Sequence, residues 1–338
     1  MMRDVRIALR YVLSRFWTRK PIILTHSVTA RCNCRCRICN IWSKPFSNNE
    51  LSKREIFHML DEASELNFAA YLVWGGEPLL RPDILEIFRH ARDNGLYTSM
   101  VTNGTLLPQK AEELAELVDL TFVSLDHHTD YHDAMRGRKG TFSSAVRGIA
   151  KLRNAGGRVV INCVLSKMNH GSAKEMVDLA GSLGVKVAFD PMEVFDGCNE
   201  ELALSPTERV KVFSEIHHLS RQSGSVLNSH EYLEHFSSRA KYSCAQPLIF
   251  LVVTEDGKVN PFWCKKTSVP LGDLRKQSLS EVLNSNSLKR FYETAKNCSL
   301  CVNSTTVETS IYYSARRFFA NYFKLNNPYL KFLADYAL

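Results

Sequence analysis

The sequence predicts an α/β fold: six strand-then-helix units in a parallel sheet that is open or partly rolled into a barrel, followed by a small α+β module. Three observations carry this. From residue 22 to about 223, short apolar or β-branched runs alternate with amphipathic segments of helical period. The rhythm then gives way to a hairpin signal and shorter helices. Eight of the ten cysteines fall into two sets, one in each region.

The strands are read at 22–29, 69–74, 97–101, 120–125, 158–165 and 186–190, runs apolar enough to be buried on both faces. Between the first two, Ser52-Lys53-Arg54-Glu55 forms a capping box, and Ile56, Met59, Leu60, Ala63 and Leu66 continue as one apolar stripe. Helical patterns at 83–94, 109–117, 143–155 and 173–183 fill the later gaps, and Ser205-Pro206-Thr207-Glu208 opens a sixth helix with proline at its favoured first position. Such alternation implies right-handed crossovers. Six units are too few for a closed eight-unit barrel. A doubly wound sheet stays open on pattern alone, and both arrangements put ligands at the C-terminal strand ends. Further on, 248–254 and 258–262 flank Glu255-Asp256-Gly257 as a hairpin, Ser278-Leu279-Ser280-Glu281 caps another helix, and the chain from about Glu308 reads as an aromatic-rich helix. The expected division is an amphipathic helix at 1–20, the barrel at 21–223, the cysteine module at 224–305 and a helical tail at 306–338.

With 45% hydrophobic and 23% charged residues, the 338-residue chain has the composition of a globular protein. No apolar run approaches the roughly 20 residues that cross a bilayer. Arginines interrupt the apolar centre that a signal peptide would need, so a cytoplasmic protein is expected. In a reducing compartment, clustered cysteines point to metal or redox chemistry rather than disulfides. The net charge of +8 suits an anionic ligand or a membrane surface; no nucleic-acid signature accompanies it.

Cys32, Cys36 and Cys39 form a CxxxCxxC loop directly after the first strand. Three thiolates can hold three irons of a cubane and leave the fourth open to a ligand. Cys34 could complete a four-thiolate set, so zinc is the competing reading. The loop resembles the signature of the radical S-adenosylmethionine (SAM) superfamily. That resemblance implies a partial (β/α)6 barrel, and a [4Fe–4S] cluster on Cys32, Cys36 and Cys39 whose unique iron is chelated by SAM. It also implies reductive cleavage of SAM to a 5′-deoxyadenosyl radical that abstracts a substrate hydrogen, with ferredoxin or flavodoxin as electron donor. Ile38 departs from the aromatic residue usual in the family, and Cys34 is an extra thiol expected to point elsewhere.

Gly75-Gly76-Glu77-Pro78, after the second strand, resembles the family's GGEP motif; its glycines would let backbone approach SAM, and Glu77 would face the methionine ammonium. Asn103, Ser124 and Asn162, at strand ends or on the fifth strand, become further SAM contacts by the same resemblance. Arg136, followed by Gly137, becomes the partner of the methionine carboxylate. An electron carrier, the reading from a different class, has no need of such groups. No catalytic side chain beyond these cofactor contacts is assigned.

Cys244, Cys264, Cys298 and Cys301 have the order of a four-thiolate site closed by CxxC. They resemble the auxiliary-cluster modules called SPASM and twitch, with fewer cysteines than a full SPASM module. This implies one second [4Fe–4S] cluster with every iron ligated, suited to moving electrons or stiffening the module, with zinc as the structural alternative. Cys163 and Cys198 read as buried structural thiols. Arg3, Arg6 and Arg10 with an apolar stripe, and a tail rich in Tyr, Phe, Arg and Lys, suit either a membrane surface or packing on the barrel. The first choice makes a membrane lipid or isoprenoid the expected substrate; the alternatives are a polar small molecule, a tetrapyrrole or a peptide oxidised with the second cluster as acceptor.

Overall fold

Parallel strands laid down in chain order build the centre of the molecule. The computed structural model describes residues 14, 18–43, 49–195, 197–238, 242–261 and 264–313. Its first six strands are β1 (Ile23–Ser27), β2 (Ala70–Trp74), β3 (Tyr97–Thr102), β4 (Leu120–Ser124), β5 (Val159–Leu165) and β6 (Lys186–Pro191). Each pairs in parallel with the next. The sheet does not close, because its far side continues through β7 (Phe250–Val253), β8 (Lys258–Asn260) and β9 (Gly272–Asp273) in the order β6-β5-β4-β3-β2-β1-β7-β8-β9. This is the open, partial (β/α)6 barrel, with a small module behind it.

Helices α1 (Lys53–Glu65), α2 (Ile84–Asp93), α3 (Leu107–Leu117), α4 (Tyr131–Arg136), α5 (Thr141–Asn154), α6 (Ala173–Leu183) and α7 (Pro206–Gln222) follow the six strands. Both halves of the Ser52–Glu55 capping box form at the start of α1, and Ile56, Met59, Leu60 and Ala63 are buried as the stripe requires. The α4 turn was not anticipated, since six mostly polar residues carry no helical period. Asp133 stabilises it by accepting from the Phe142 amide at 2.7 Å, and Gly137 ends it at φ +62°.

Alternate strand residues face two cores. Leu24, Tyr71, Val73, Phe88, Ile149 and Phe189 belong to the large layer under the helices. Ala70, Tyr97, Leu120, Val160 and Ala188, near the N-terminal strand ends, join Leu227 in a second cluster that floors the interior. Each large side chain so buried contributes about 1.5–3 kcal/mol. Above this floor, on the same strand faces, stand Trp74, Val101, Ser124 and Asn162, so the interior becomes more polar toward the C-terminal ends.

The rest comprises α8 (His230–Ser238), α9 (Gln246–Ile249), α10 (Leu279–Asn284), α11 (Asn286–Ala295) and α12 (Ser304–Tyr313). The strand expected at 248–254 starts only at Phe250, because Gln246–Ile249 makes one helical turn with Pro247 in it. Its pairing also differs from a free-standing hairpin: β7 lies parallel to β1, Ile23 opposite Phe250. All four β7 residues are buried, the pattern of an internal parallel strand, and β7 covers what would be an exposed edge of β1. The expected helix at 1–20 and most of the tail lie outside the described residues. Ser14 is described and buried; its hydroxyl donates to the Leu248 carbonyl at 3.2 Å and lies 3.4 Å from the Tyr313 hydroxyl. No helix among the described residues is long and apolar enough to cross a membrane.

Candidate functional site

Two glycine turns hold the first cysteine loop against the C-terminal strand ends. Gly75 has φ +130°, and a methyl group there would lie 2.5 Å from the Thr29 carbonyl oxygen; one on Gly76 would lie 2.1 Å from that of Arg31. This closeness lets the Gly76 and Glu77 amides each donate across 2.8 Å to Thr29 and Arg31, tying the exit of β2 to the chain entering the loop. On the other side, the Arg35 and Arg37 amides donate to the Arg136 and Met135 carbonyls, both at 3.0 Å. The Trp42 indole donates to the Cys36 carbonyl at 3.0 Å.

Cys32, Cys36, Cys39, Gly75, Gly76, Asn103, Ser124 and Arg136 all line one cleft of about 570 Å³. Glu77, Pro78 and Asn162 are not among its lining residues. Asn162 sits one strand over, in register with Ser124. Glu77 is fully buried and its carboxylate is taken up by the protein: Oε1 accepts from the Leu79 amide (3.1 Å) and the Thr102 hydroxyl (2.7 Å), Oε2 from the Asn103 amide (2.7 Å). Burial pushes it up to about 6 against these three donors. Glu77 therefore joins the ends of β2 and β3.

Arg136 faces the cleft with its fork partly used. Nη2 lies 2.7 Å from Asp126 Oδ2 and Nη1 lies 3.9 Å from Cys36 Sγ, while Nε is buried without a partner. Asp126, two residues beyond β4, has no role assigned to it by the sequence. Fully buried, it accepts from the Val164 amide at 3.0 Å and so links β4, β5 and α4. Its own amide donates to His132 Nδ1 at 3.1 Å, and burial holds that imidazole down at about 2.

Cys34 does not line the cleft. It is buried behind the loop with Ile38, Met192 and Leu202. Its amide donates to Cys32 Sγ at 3.5 Å, and the neighbouring Cys34 thiol lowers Cys32, brings Cys36 down to about 6 with help from Arg136, and is itself raised. Burial raises Cys39. Two ionisation-prone thiols at one cleft, next to an unsatisfied guanidinium nitrogen, suit a cluster site and an anionic ligand.

The second set also comes together. The Cys244 amide donates to the Cys298 carbonyl at 2.8 Å, and the Tyr242 hydroxyl bridges the Cys301 amide and carbonyl, both at 3.1 Å. Burial, then nearby negative charge that includes the other thiols, raises Cys244 to about 12 and Cys301 to about 11. Metal binding relieves such crowding, since it takes the groups as thiolates. Among the described residues, no three His, Cys, Asp or Glu side chains are gathered to hold a single metal ion. Ligands of a cubane attach to separate irons and stand wider apart. Cys163 is buried as expected, but Cys198 is half-buried on the loop after β6.

A further cleft of about 600 Å³ lies between the two sets, with Leu165, Met192, Glu193, Arg209, Lys265 and Val302 in its walls. Met192 belongs to the apolar cluster around Cys36, while Lys265 and Val302 follow Cys264 and Cys301 directly. The module is fastened to β6 here: Asp190 accepts from the Ser304 hydroxyl at 2.9 Å and the Tyr232 hydroxyl at 3.2 Å, and Glu193 accepts from Asn303 Nδ2 at 2.8 Å.

An open α/β barrel with a three-cysteine loop at its C-terminal end and a second cysteine module defines a class of iron–sulfur enzymes. Comparison with known proteins makes the class specific. The radical SAM superfamily model matches residues 26–180, and the iron–sulfur cluster-binding domain model, SPASM, matches 244–303. The AdoMet-dependent heme synthase of Methanosarcina barkeri is 30% identical over 290 residues, covering 78% of this chain and 82% of that protein. The Fe-coproporphyrin III synthase of the same organism is 32% identical over 164 residues, and the PqqA peptide cyclase of Ruegeria pomeroyi 30% over 173; the chain spans less than half the length of each. In fold, it resembles Streptococcus suis SuiB bound to S-adenosylmethionine, with TM-score 0.69 at 14% identity over 82% of this chain and 68% of that one. It also resembles anSMEcpe with bound AdoMet, with TM-score 0.65 at 18% identity over 89% and 98%. The chain belongs to the radical SAM superfamily and carries a SPASM-type domain. It is an enzyme of reductive SAM cleavage, with a [4Fe–4S] cluster, SAM and additional iron–sulfur content as its cofactors.

Proposed function

We propose that this radical SAM enzyme oxidises a carboxylate-bearing tetrapyrrole seated in the cleft between its two cysteine sets. The position of that cleft carries the reading. One wall adjoins the Cys36 cluster through Met192, and the other is made by the residues after Cys264 and Cys301. A substrate there has the hydrogen-abstracting site on one side and an electron acceptor on the other. SAM, when bound at the core cluster, supplies the one-electron chemistry that removes a substrate hydrogen atom.

The chain's own residues divide the work. Cys32, Cys36 and Cys39 hold the core cluster. The backbone of Gly75 and Gly76, with Asn103, Ser124 and Arg136, shapes the space for SAM; Asp126 fixes Arg136, and Glu77 fixes Asn103. Cys244, Cys264, Cys298 and Cys301 hold the second cluster. Tetrapyrrole chemistry is favoured because the heme synthase relative is matched over most of its length. A lipid substrate is not carried forward: the relatives reported above are named for tetrapyrrole or peptide substrates, and the lipid expectation rested on end segments that are mostly outside the described residues. Anaerobic reconstitution followed by SAM, dithionite and Fe-coproporphyrin III tests the reading. Porphyrin-stimulated release of 5′-deoxyadenosine, with a change in the porphyrin, is expected. Stimulation by peptides alone would assign the cleft to a peptide instead.

A further inference from the structure

Two cations face the cleft between the cysteine sets. Arg209 is the fourth residue of α7, where a positive charge opposes the helix dipole. Among the described residues it has no acidic partner; its guanidinium lies over the Phe236 ring, 5.8 Å from the centroid. Lys265 pairs with Glu193 at 2.7 Å, the lysine side chain 39% exposed and the glutamate 11%. Leu165, Pro191, Met192, Val194, Leu204 and Val302 make the rest of the wall largely apolar. Among the described residues, the cleft's charged groups are Arg209, Lys265 and Glu193, a net charge of one. Two separate cations in an apolar wall suit carboxylates spaced along an apolar body better than one compact phosphate, and a guanidinium fork matches a carboxylate edge.

We propose that Arg209 and Lys265 form a carboxylate subsite that orients the substrate. One carboxylate takes the guanidinium of Arg209. A second competes for Lys265 with Glu193, which keeps its bond from Asn303 when displaced. Glu193 thus acts as an internal stand-in for the substrate carboxylate and limits binding to ligands that can replace it. The substrate class is an apolar molecule bearing at least two carboxylates. This rests on the reading of the cleft as the substrate's seat.

Equilibrium dialysis of the reconstituted holoenzyme against coproporphyrin III, its tetramethyl ester, and 1-pyrenebutyrate as a carboxylate that is not a tetrapyrrole tests the subsite. Arg209→Gln and Lys265→Met should each weaken binding of coproporphyrin by about tenfold, and Glu193→Gln should tighten it. The ester should bind wild type and variants alike, and only weakly. Iron content and melting temperature report whether each variant is folded, and Glu193→Gln tests the same subsite by a gain rather than a loss. Equal coproporphyrin affinity in wild type and all three variants overturns the subsite and leaves the tetrapyrrole reading standing. Pyrenebutyrate binding that Arg209→Gln weakens, without porphyrin binding, supports the Arg209 half of the subsite and removes the tetrapyrrole. Binding of neither acid overturns the subsite.

Discussion

At Gly137 the backbone takes φ +62°, and a methyl group would lie 2.3 Å from the Arg35 carbonyl oxygen, so a side chain there lifts the cysteine loop off α4. Gly137→Ala should cost about 1–3 kcal/mol of stability. It should also lose the core cluster's share of iron while keeping the auxiliary share. Iron and sulfide analysis after reconstitution checks this, and a full complement of iron would count against the docking role. A second residue-scale expectation concerns Asp126. Removing its charge leaves Arg136 as an uncompensated buried cation, so Asp126→Asn should destabilise by about 3–5 kcal/mol. The double variant with Arg136→Gln should recover part of that loss, because the two changes act on one pair. Urea denaturation of the three variants gives the coupling, and strict additivity would show that the 2.7 Å pair carries no net energy.

Elements were legible where a residue's neighbours in sequence decide its fate. The first six strands could be read because both of their faces are buried, and α1 because Ser52 and Glu55 cap it locally. The cysteines and glycines of the site were legible for the same reason, as compact spacings within one loop. The α4 turn rests on Asp133 reaching Phe142, and β7 rests on β1 more than two hundred residues away. Neither relation leaves a periodic trace. The donors that Glu77 gathers come partly from β3, a contact between strands that its motif does not signal. The tie between α12 and the start of α8 shows the same kind of distant contact: buried Glu308 accepts from the Ser229 amide at 3.0 Å, and burial raises it to about 7. A raised carboxylate contributes stability that is complete below its unfolded value of 4.5 and is lost as pH rises through about 7. Relative to Glu308→Gln, the wild type should lose stability across that window by up to about 1.4 kcal/mol per pH unit. Denaturation midpoints of both proteins from pH 4.5 to 8 measure the difference; parallel curves would remove the assignment.

On the scale of the whole molecule, barrel and cysteine module share one sheet. Val252 and Val253 of β7 pair directly with Thr25 and His26 of β1. Leu251 and Val253 belong to the large core, while Phe250 and Val252 pack with Ala245, Leu248 and Tyr313 on the other face. Ending the chain before Cys244 would uncover both faces of this seam and leave β1 with an unpaired edge, a template for association. The barrel should therefore fail to fold cooperatively on its own, although all its own strands and the first cysteine loop are present. Expression of residues 1–243, followed by thermal unfolding and dye binding to exposed apolar surface, checks this. A sharp transition in a monomeric product would mean that the module is an attachment rather than part of the barrel's edge. A broad transition with strong dye binding would mean that the second cysteine set is placed by the same sheet that places the first. The distance between the two sets, and with it the width of the cleft between them, would then be a property of the fold rather than of a flexible linker.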